Sequence, residues 1–273
     1  MSTHAANRPW LRLVTPCIFL AIACASPASA QDAAPSATDT TAVLETSGVI
    51  TAQALAVLDR MTASLKSLKR YSITAQISRD EVLPYGYKLQ NNETAQLWVE
   101  APSKLRMEVR GDIRNRTYVY DGAQLTMLVP DLNVYSSWQA PGTIGELVGV
   151  LLDHGIEMPL IDMLRQGYRG DLTTDVRVGI VAGDSEVEGV PTDHLAFRQA
   201  DVDWQLWVEK GERALPRKLL ITTRYRVGDP QYQAILDWNL KPDISAKSFS
   251  FTPPAGATKI PYRANVLAGG GEK

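Results

Sequence analysis

From Thr51 to Leu68 apolar residues return at steps of three or four, at Leu55, Leu58, Met61, Leu65 and Leu68, which paints one stripe along a helix. Thr51 stands where an N-cap belongs, and Lys66, Lys69 and Arg70 crowd the far end, where cations suit the helix dipole. A helix apolar on one side needs a sheet or another helix to lie against. At Tyr71 the period drops to two. Tyr71, Ile73, Ala75 and Ile77 alternate with Ser72, Thr74, Gln76 and Ser78, and Ala95, Leu97 and Val99 with Thr94, Gln96 and Trp98. Leu105, Met107 and Val109 then alternate with Arg106, Glu108 and Arg110. Shorter runs at 117–120 and 125–129 are joined by Asp121-Gly122, a strong hairpin signal, and another strand fits 133–138. The pattern predicts an antiparallel meander with one apolar and one wet face.

The centre breaks this rhythm. Residues 143–154 (TIGELVGVLLDH) and 159–165 (PLIDMLR) read as two short apolar helices, with Pro159 in a first turn and Gly155 and Gly167 as stops. Strands resume over 176–187, 193–199, 202–209, 217–226 and 231–240, punctuated by Glu188-Gly189, Lys210-Gly211 and Gly228-Asp229-Pro230. Phe249-Ser250-Phe251 before Pro253-Pro254 fits a last edge strand, because proline cannot continue a ladder. About ten or eleven strands are too many for one flat twisted sheet. The expected fold class is therefore mainly β (α+β): a strongly curved antiparallel half-barrel wrapped around the N-terminal helix and the short central helices.

The first thirty residues change the picture by pointing to export. Arg8 and Arg12 precede an apolar run from Leu13 to Ala25, shorter than a membrane span, and Ala28-Ser29-Ala30 gives the small-x-small pattern of a signal cleavage site. The expected leader is 1–30, with cleavage between Ala30 and Gln31 and delivery to the periplasm. A retained membrane anchor is the rival reading, against which Pro16 and the short apolar core argue. Another is a lipoprotein anchored at Cys24, although Ala21 stands where such signals carry Leu. Both cysteines, Cys17 and Cys24, lie in this leader, so the mature chain would hold no disulfide and no thiol nucleophile. Residues 31–49 are rich in Ala, Ser, Thr and Asp and read as a flexible linker, 50–262 as the folded domain, and 263–273 as a disordered tail.

Charge and motifs narrow the function by exclusion. The chain has 28 basic and 30 acidic residues; without Arg8 and Arg12 the balance is 26 against 30, or −4. That is no footprint for nucleic acid. No glycine-rich phosphate loop, HExxH, CxxC or GxSxG is present. His154 and His194 are the histidines left after the leader, and His194 with Asp193, Asp201 and Asp203 is the nearest approach to a metal or acid–base cluster. It reads better as a polar surface hairpin. Glu93 shares parity with Ala95 and Leu97 and is a lone acid on the apolar face, expected near a strand end where it reaches solvent.

The inward-facing positions are more suggestive. Ile73, Leu97, Val99, Met107, Tyr118, Tyr120, Met127, Trp204, Leu206, Val208, Leu219 and Leu236, with Trp138 and Trp238, share the apolar parity, while Trp207 is out of phase and belongs outside. A packed core is the plain reading. The surplus of apolar surface on two meanders plus three apolar helices also suits an adaptable hydrophobic ligand cavity walled by those first twelve residues.

A resemblance supports the second reading. The order of helix, meander, helical insertion and second meander, ending Trp204-Gln205-Leu206-Trp207-Val208, Leu215-Pro216-Arg217-Lys218-Leu219 and Phe249 to Ala257 (FSFTPPAGA), resembles the LolA-like and LppX-like periplasmic lipoprotein-carrier superfamily. Residues 54–69, Asp80-Glu81-Val82-Leu83-Pro84 and 194–207 resemble more closely a bacterial family described only as a predicted periplasmic protein of unknown function. The superfamily resemblance implies a half-barrel with an acyl-chain cavity, no cofactor and no catalysis. The expectation is thus a monomeric carrier for a lipid, lipoprotein acyl chain or other hydrophobic ligand. An envelope sensor or module binding a membrane or envelope protein is the alternative, and an unrecognised hydrolase a distant third.

Overall fold

The structure is a computed structural model and describes residues 50–140, 142–153, 156, 158–170 and 172–261. Helix α1 (Ala52–Ser67) is capped by Thr51, whose hydroxyl accepts from Ala54 N at 3.3 Å. Its buried stripe is Ala54, Val57, Leu58, Met61 and Leu65; Leu55, expected in that stripe, is exposed. The small Ala54 sits at the contact and turns the helix by part of a turn from the leucine-only stripe.

Two long strands follow, β1 (Arg70–Val82) and β2 (Lys88–Glu100), paired antiparallel along their whole length. The meander continues through β3 (Lys104–Gly111), β4 (Arg116–Tyr120), β5 (Gln124–Val129) and β6 (Val134–Gln139). Helices α2 (Ile144–Asp153) and α3 (Ile161–Tyr168) come next, then β7 (Val178–Val187), β8 (Val190–Arg198), β9 (Val202–Glu209), β10 (Pro216–Thr223) and β11 (Gln231–Asn239). The second meander ends by laying β11 antiparallel on β1, with Ala75 opposite Leu236. A two-residue β12 (Thr258–Lys259) adds parallel to β6.

One sheet of twelve strands results, in the order β12-β6-β5-β4-β3-β2-β1-β11-β10-β9-β8-β7, curved and unclosed. Strong curvature is how so many strands avoid a flat, exposed face. The free edge of β7 is partly shielded by Ile50, which bridges Gly179, with Thr51 N donating to Gly179 O at 2.9 Å.

Three local expectations are corrected. Phe249 ends a 3-10 turn (Ala246–Phe249) and is buried; the edge strand comes only after Pro253-Pro254, where the chain is again free to donate. Gly167 lies inside α3, and its missing side chain lets the helix press on α1, with Leu65 Cβ 3.4 Å from where a Cβ would sit. Pro159 precedes α3, whose N-cap Leu160 is left-handed. Gly155, His154, the leader, its cleavage site at Ala30 and Gln31, Cys24 and the linker lie outside the described residues.

Candidate functional site

Alternation puts one face of every strand inside the curve, and the helices lie on that face. The expected cavity residues fall in two adjoining groups. Ile73, Leu97, Val99, Met107, Tyr118, Tyr120 and Leu236 pack with Ile144, Leu147 and Leu151 of α2 and Leu164 of α3, and Met127 is partly buried against them. Trp204, Leu206, Val208 and Leu219 pack instead under α1, against Leu58, Met61 and Leu65. Leu68, Tyr232 and Trp238 touch both groups. Trp238 is held by its indole N–H donating to Pro216 O at 2.7 Å and by a tilted contact with Tyr71. Ile73, Leu97, Val99 and Met107 are each 0% exposed, so no water-sized space touches them with the helices in place. Sequence periodicity missed Leu125, Leu195 and Phe197, which complete these walls.

Several polar ties hold the helices to the sheet. The Tyr71 and Tyr168 hydroxyls hydrogen-bond, and burial pushes the Tyr71 phenol well above its ordinary pKa. Tyr120 Oη donates to Gly142 O at 2.8 Å just before α2, and Gln166 Nε2 of α3 donates to Thr62 Oγ1 of α1 at 2.6 Å.

At one end the apolar floor turns polar. Glu93 does not reach solvent at a strand end, as its type suggested. It sits in mid-β2 with its side chain 7% exposed, clamped by Arg116 at 2.6 Å from β4 and Arg79 at 3.2 Å from β1. A buried carboxylate requires such partners. Room for it comes from Gly111 directly opposite on β3: a Cβ there would lie 2.8 Å from Glu93 Cγ. Arg116 Nε is buried without a hydrogen-bond partner among the described residues. Asn91 lies one inward step along β2 and donates to Glu81 at 3.2 Å. Tyr232, beside Arg79 in register, is pushed up by burial, as is Asp162 in the first turn of α3.

The family model for "Predicted periplasmic protein (DUF2092)" matches residues 54–262, spanning α1, both meanders and the helical insertion. The chain belongs to this DUF2092 family. A search of curated protein sequences finds no match. Among solved structures the chain is similar to an uncharacterized conserved protein from Thermus thermophilus, with TM-score 0.46 and 11% identity over 77% of this chain and 99% of that one. It is also similar to the lipoprotein LppX of Mycobacterium tuberculosis, with TM-score 0.45 and 13% identity over 71% of this chain and 98% of that one. A third is LprF from Mycobacterium bovis, with TM-score 0.41 and 12% identity over 77% and 100%.

The rest of this DUF2092 chain's candidate chemistry disperses. Asp193 points to α1 and pairs with Arg60 at 3.0 Å and Lys210 at 3.5 Å, whereas Asp203 pairs with Arg198 at 2.7 Å. His194 is on the other face, stacked on Trp207 at 4.2 Å and hydrogen-bonded to Gln205 at 2.9 Å. No group of three metal-ligating side chains converges among the described residues. Trp207 is outside the curve as expected, yet buried, because His194 and Lys218 cover its ring. A cleft of about 550 Å³ also lies largely on the outer face, lined by Gln76, Ser78, Gln90, Asn92, Thr94 and Arg110 among others; it is polar and unlike the inner face.

Proposed function

We propose that this protein is a periplasmic, non-catalytic binder or carrier of a lipid, a lipoprotein acyl chain or another hydrophobic ligand. The observation that carries the reading is that helices, and no second sheet, cover the apolar inner face of an open curved sheet. Over the β1–β5 half the cover is α2 and α3, both short and both in one insertion between the meanders. A ligand chain would take the place of α2 and α3 over Ile73, Leu97, Val99, Met107, Tyr118 and Tyr120. The charged end around Glu93, Arg79 and Arg116 would mark where the chain emerges.

The test uses an apolar dye whose fluorescence rises in an apolar site. The folded protein should bind it, and long-chain fatty acids or phospholipids should displace it. Lipid extracted from protein isolated from its own envelope should appear in stoichiometric amount by mass spectrometry. If neither dye nor lipid binds, the carrier reading fails and the interaction-module reading replaces it.

A further inference from the structure

The strands of both meanders turn at two ends of the sheet, and the exposed apolar side chains gather at one of them. Five turns lie at this end: Leu83–Tyr87 between β1 and β2, 112–115 between β3 and β4, 130–133 between β5 and β6, 224–230 between β10 and β11, and 199–201 between β8 and β9. They are tied into one rim. Asn115 donates its N and Nδ2 to Asp131 at 2.9 Å each, Asn92 N donates to Asp112 at 2.7 Å, and Gln231 N donates to Asp80 at 3.1 Å. Of the eleven large apolar side chains that are exposed among the described residues, seven stand on this rim. The first turn carries Tyr85 and Tyr87, with Leu89 just inside β2; the next three carry Ile113, Leu132, Tyr225 and Val227. Scattered exposed apolar residues need no explanation, but such a concentration marks a contact surface.

Two more observations say what it contacts. Tyr85 is fully exposed and left-handed, at φ 70° and ψ 13°. A bulky side chain there costs energy, and an outward ring gains no burial in return. The turns also carry arginines of their own. Asp80, Asp112 and Asp131 are engaged in holding the turns together. Arg114 and Arg226 stand exposed on the turns beside the exposed Glu81, Asp201 and Asp229, with Arg226 lying over its neighbour Tyr225. Tyrosines mixed with aliphatic side chains and arginines are the composition that sits at a bilayer's headgroup level.

We propose that this rim docks on the surface of a membrane containing anionic phospholipid, with Tyr85, Tyr87, Tyr225 and Val227 entering the headgroup layer and Arg114 and Arg226 meeting lipid phosphates. The proposal is independent of the carrier reading, since a rim that docks without ligand exchange would still bind lipid. The docked rim is the same end of the sheet as the polar cluster of Arg79, Glu93 and Arg116.

Vesicle flotation with the chain from Gln31 onward tests it, using phosphatidylglycerol–phosphatidylethanolamine vesicles and neutral phosphatidylcholine vesicles. Wild type should float with the anionic vesicles. Tyr85→Ser/Val227→Ser should weaken binding about tenfold on anionic vesicles, through lost apolar burial. Arg114→Gln/Arg226→Gln should lose roughly tenfold on anionic vesicles and little on neutral ones. Leu240→Ser, exposed just past β11 at the opposite end of the sheet, should change nothing, and circular dichroism should show each variant folded. Tyr85→Trp should shift its emission to the blue when vesicles are added. The proposal is overturned if wild type fails to float, if the Tyr85/Val227 double variant floats as wild type does, or if Leu240→Ser loses as much.

Discussion

Replacing Glu93 by Gln probes the polar end of the inner face. The carboxylate lies 2.6 Å from Arg116 and 3.2 Å from Arg79, with its side chain 7% exposed against 17% and 32% for the arginines. Each pair at that range is worth up to about 5–6 kcal/mol of gross attraction at an effective dielectric near 20, and much of that offsets the cost of taking the charges from water. Removing the carboxylate takes from Arg116 and Arg79 the counter-charge that they share, for which about 3–5 kcal/mol is the usual cost. Partial exposure of Arg79 allows some rehydration, so the lower part of that range, about 3 kcal/mol, is expected. Urea unfolding at constant slope measures it. A Glu93→Gln cost under about 1 kcal/mol would refute the reasoning, since it would mean that the carboxylate is solvated in the folded protein.

Met107→Asp should cost about 3–5 kcal/mol, because Met107 is fully buried on the apolar face that packs with α2. Glu108→Lys on the opposite face should cost about 1 kcal/mol, because Glu108 holds Arg106 at 2.8 Å and Arg110 at 3.7 Å on the surface; equal costs in urea unfolding would refute the register. Asp162→Asn should change the pH dependence of stability. Burial raises the folded pKa of Asp162 above its unfolded value, so the native state binds the proton more tightly and stability falls as pH rises through that window. The Asn variant should gain over wild type from pH 4 to pH 7 in thermal melts; a pH-independent difference would refute it.

The alternation was legible because an antiparallel sheet with one buried face writes its register into every second residue. Leu105, Met107 and Val109 are buried and Arg106 and Glu108 are not, as their parity requires. What parity cannot give is the partner across the fold. Nothing local tells β11 to lie on β1, more than a hundred residues away, or tells β12 to pair parallel with β6 after two prolines. The Glu93 cluster was half visible. Arg79, Glu93 and Arg116 each fall in phase with the apolar set of their own strand, so three charges on one inward face were there to be noticed. That they meet depends on the pairings of β1, β2, β3 and β4, and on Gly111 leaving the space. Trp207 lies outside the curve as its parity requires, and is buried there because a neighbouring His and Lys cover the ring.

The energetics of the helical cover decide whether exchange with a ligand is feasible. Lifting α2 uncovers Ile144, Leu147, Val148 and Leu151 together with the sheet residues beneath. At about 1.5–3 kcal/mol per side chain, the α2 side alone costs about 6–12 kcal/mol. A saturated acyl chain of about sixteen carbons laid on the same face regains about 0.8 kcal/mol per CH₂, or about 13 kcal/mol. The two quantities are of one size, so a ligand could displace α2 without being trapped beneath it. A second sheet in the same place would bury several strands and their ladders at once, and no single chain could replace it. Short helices on an insertion therefore suit a reversible binder, and the Tyr71–Tyr168 and Tyr120–Gly142 hydrogen bonds are what an entering ligand must break.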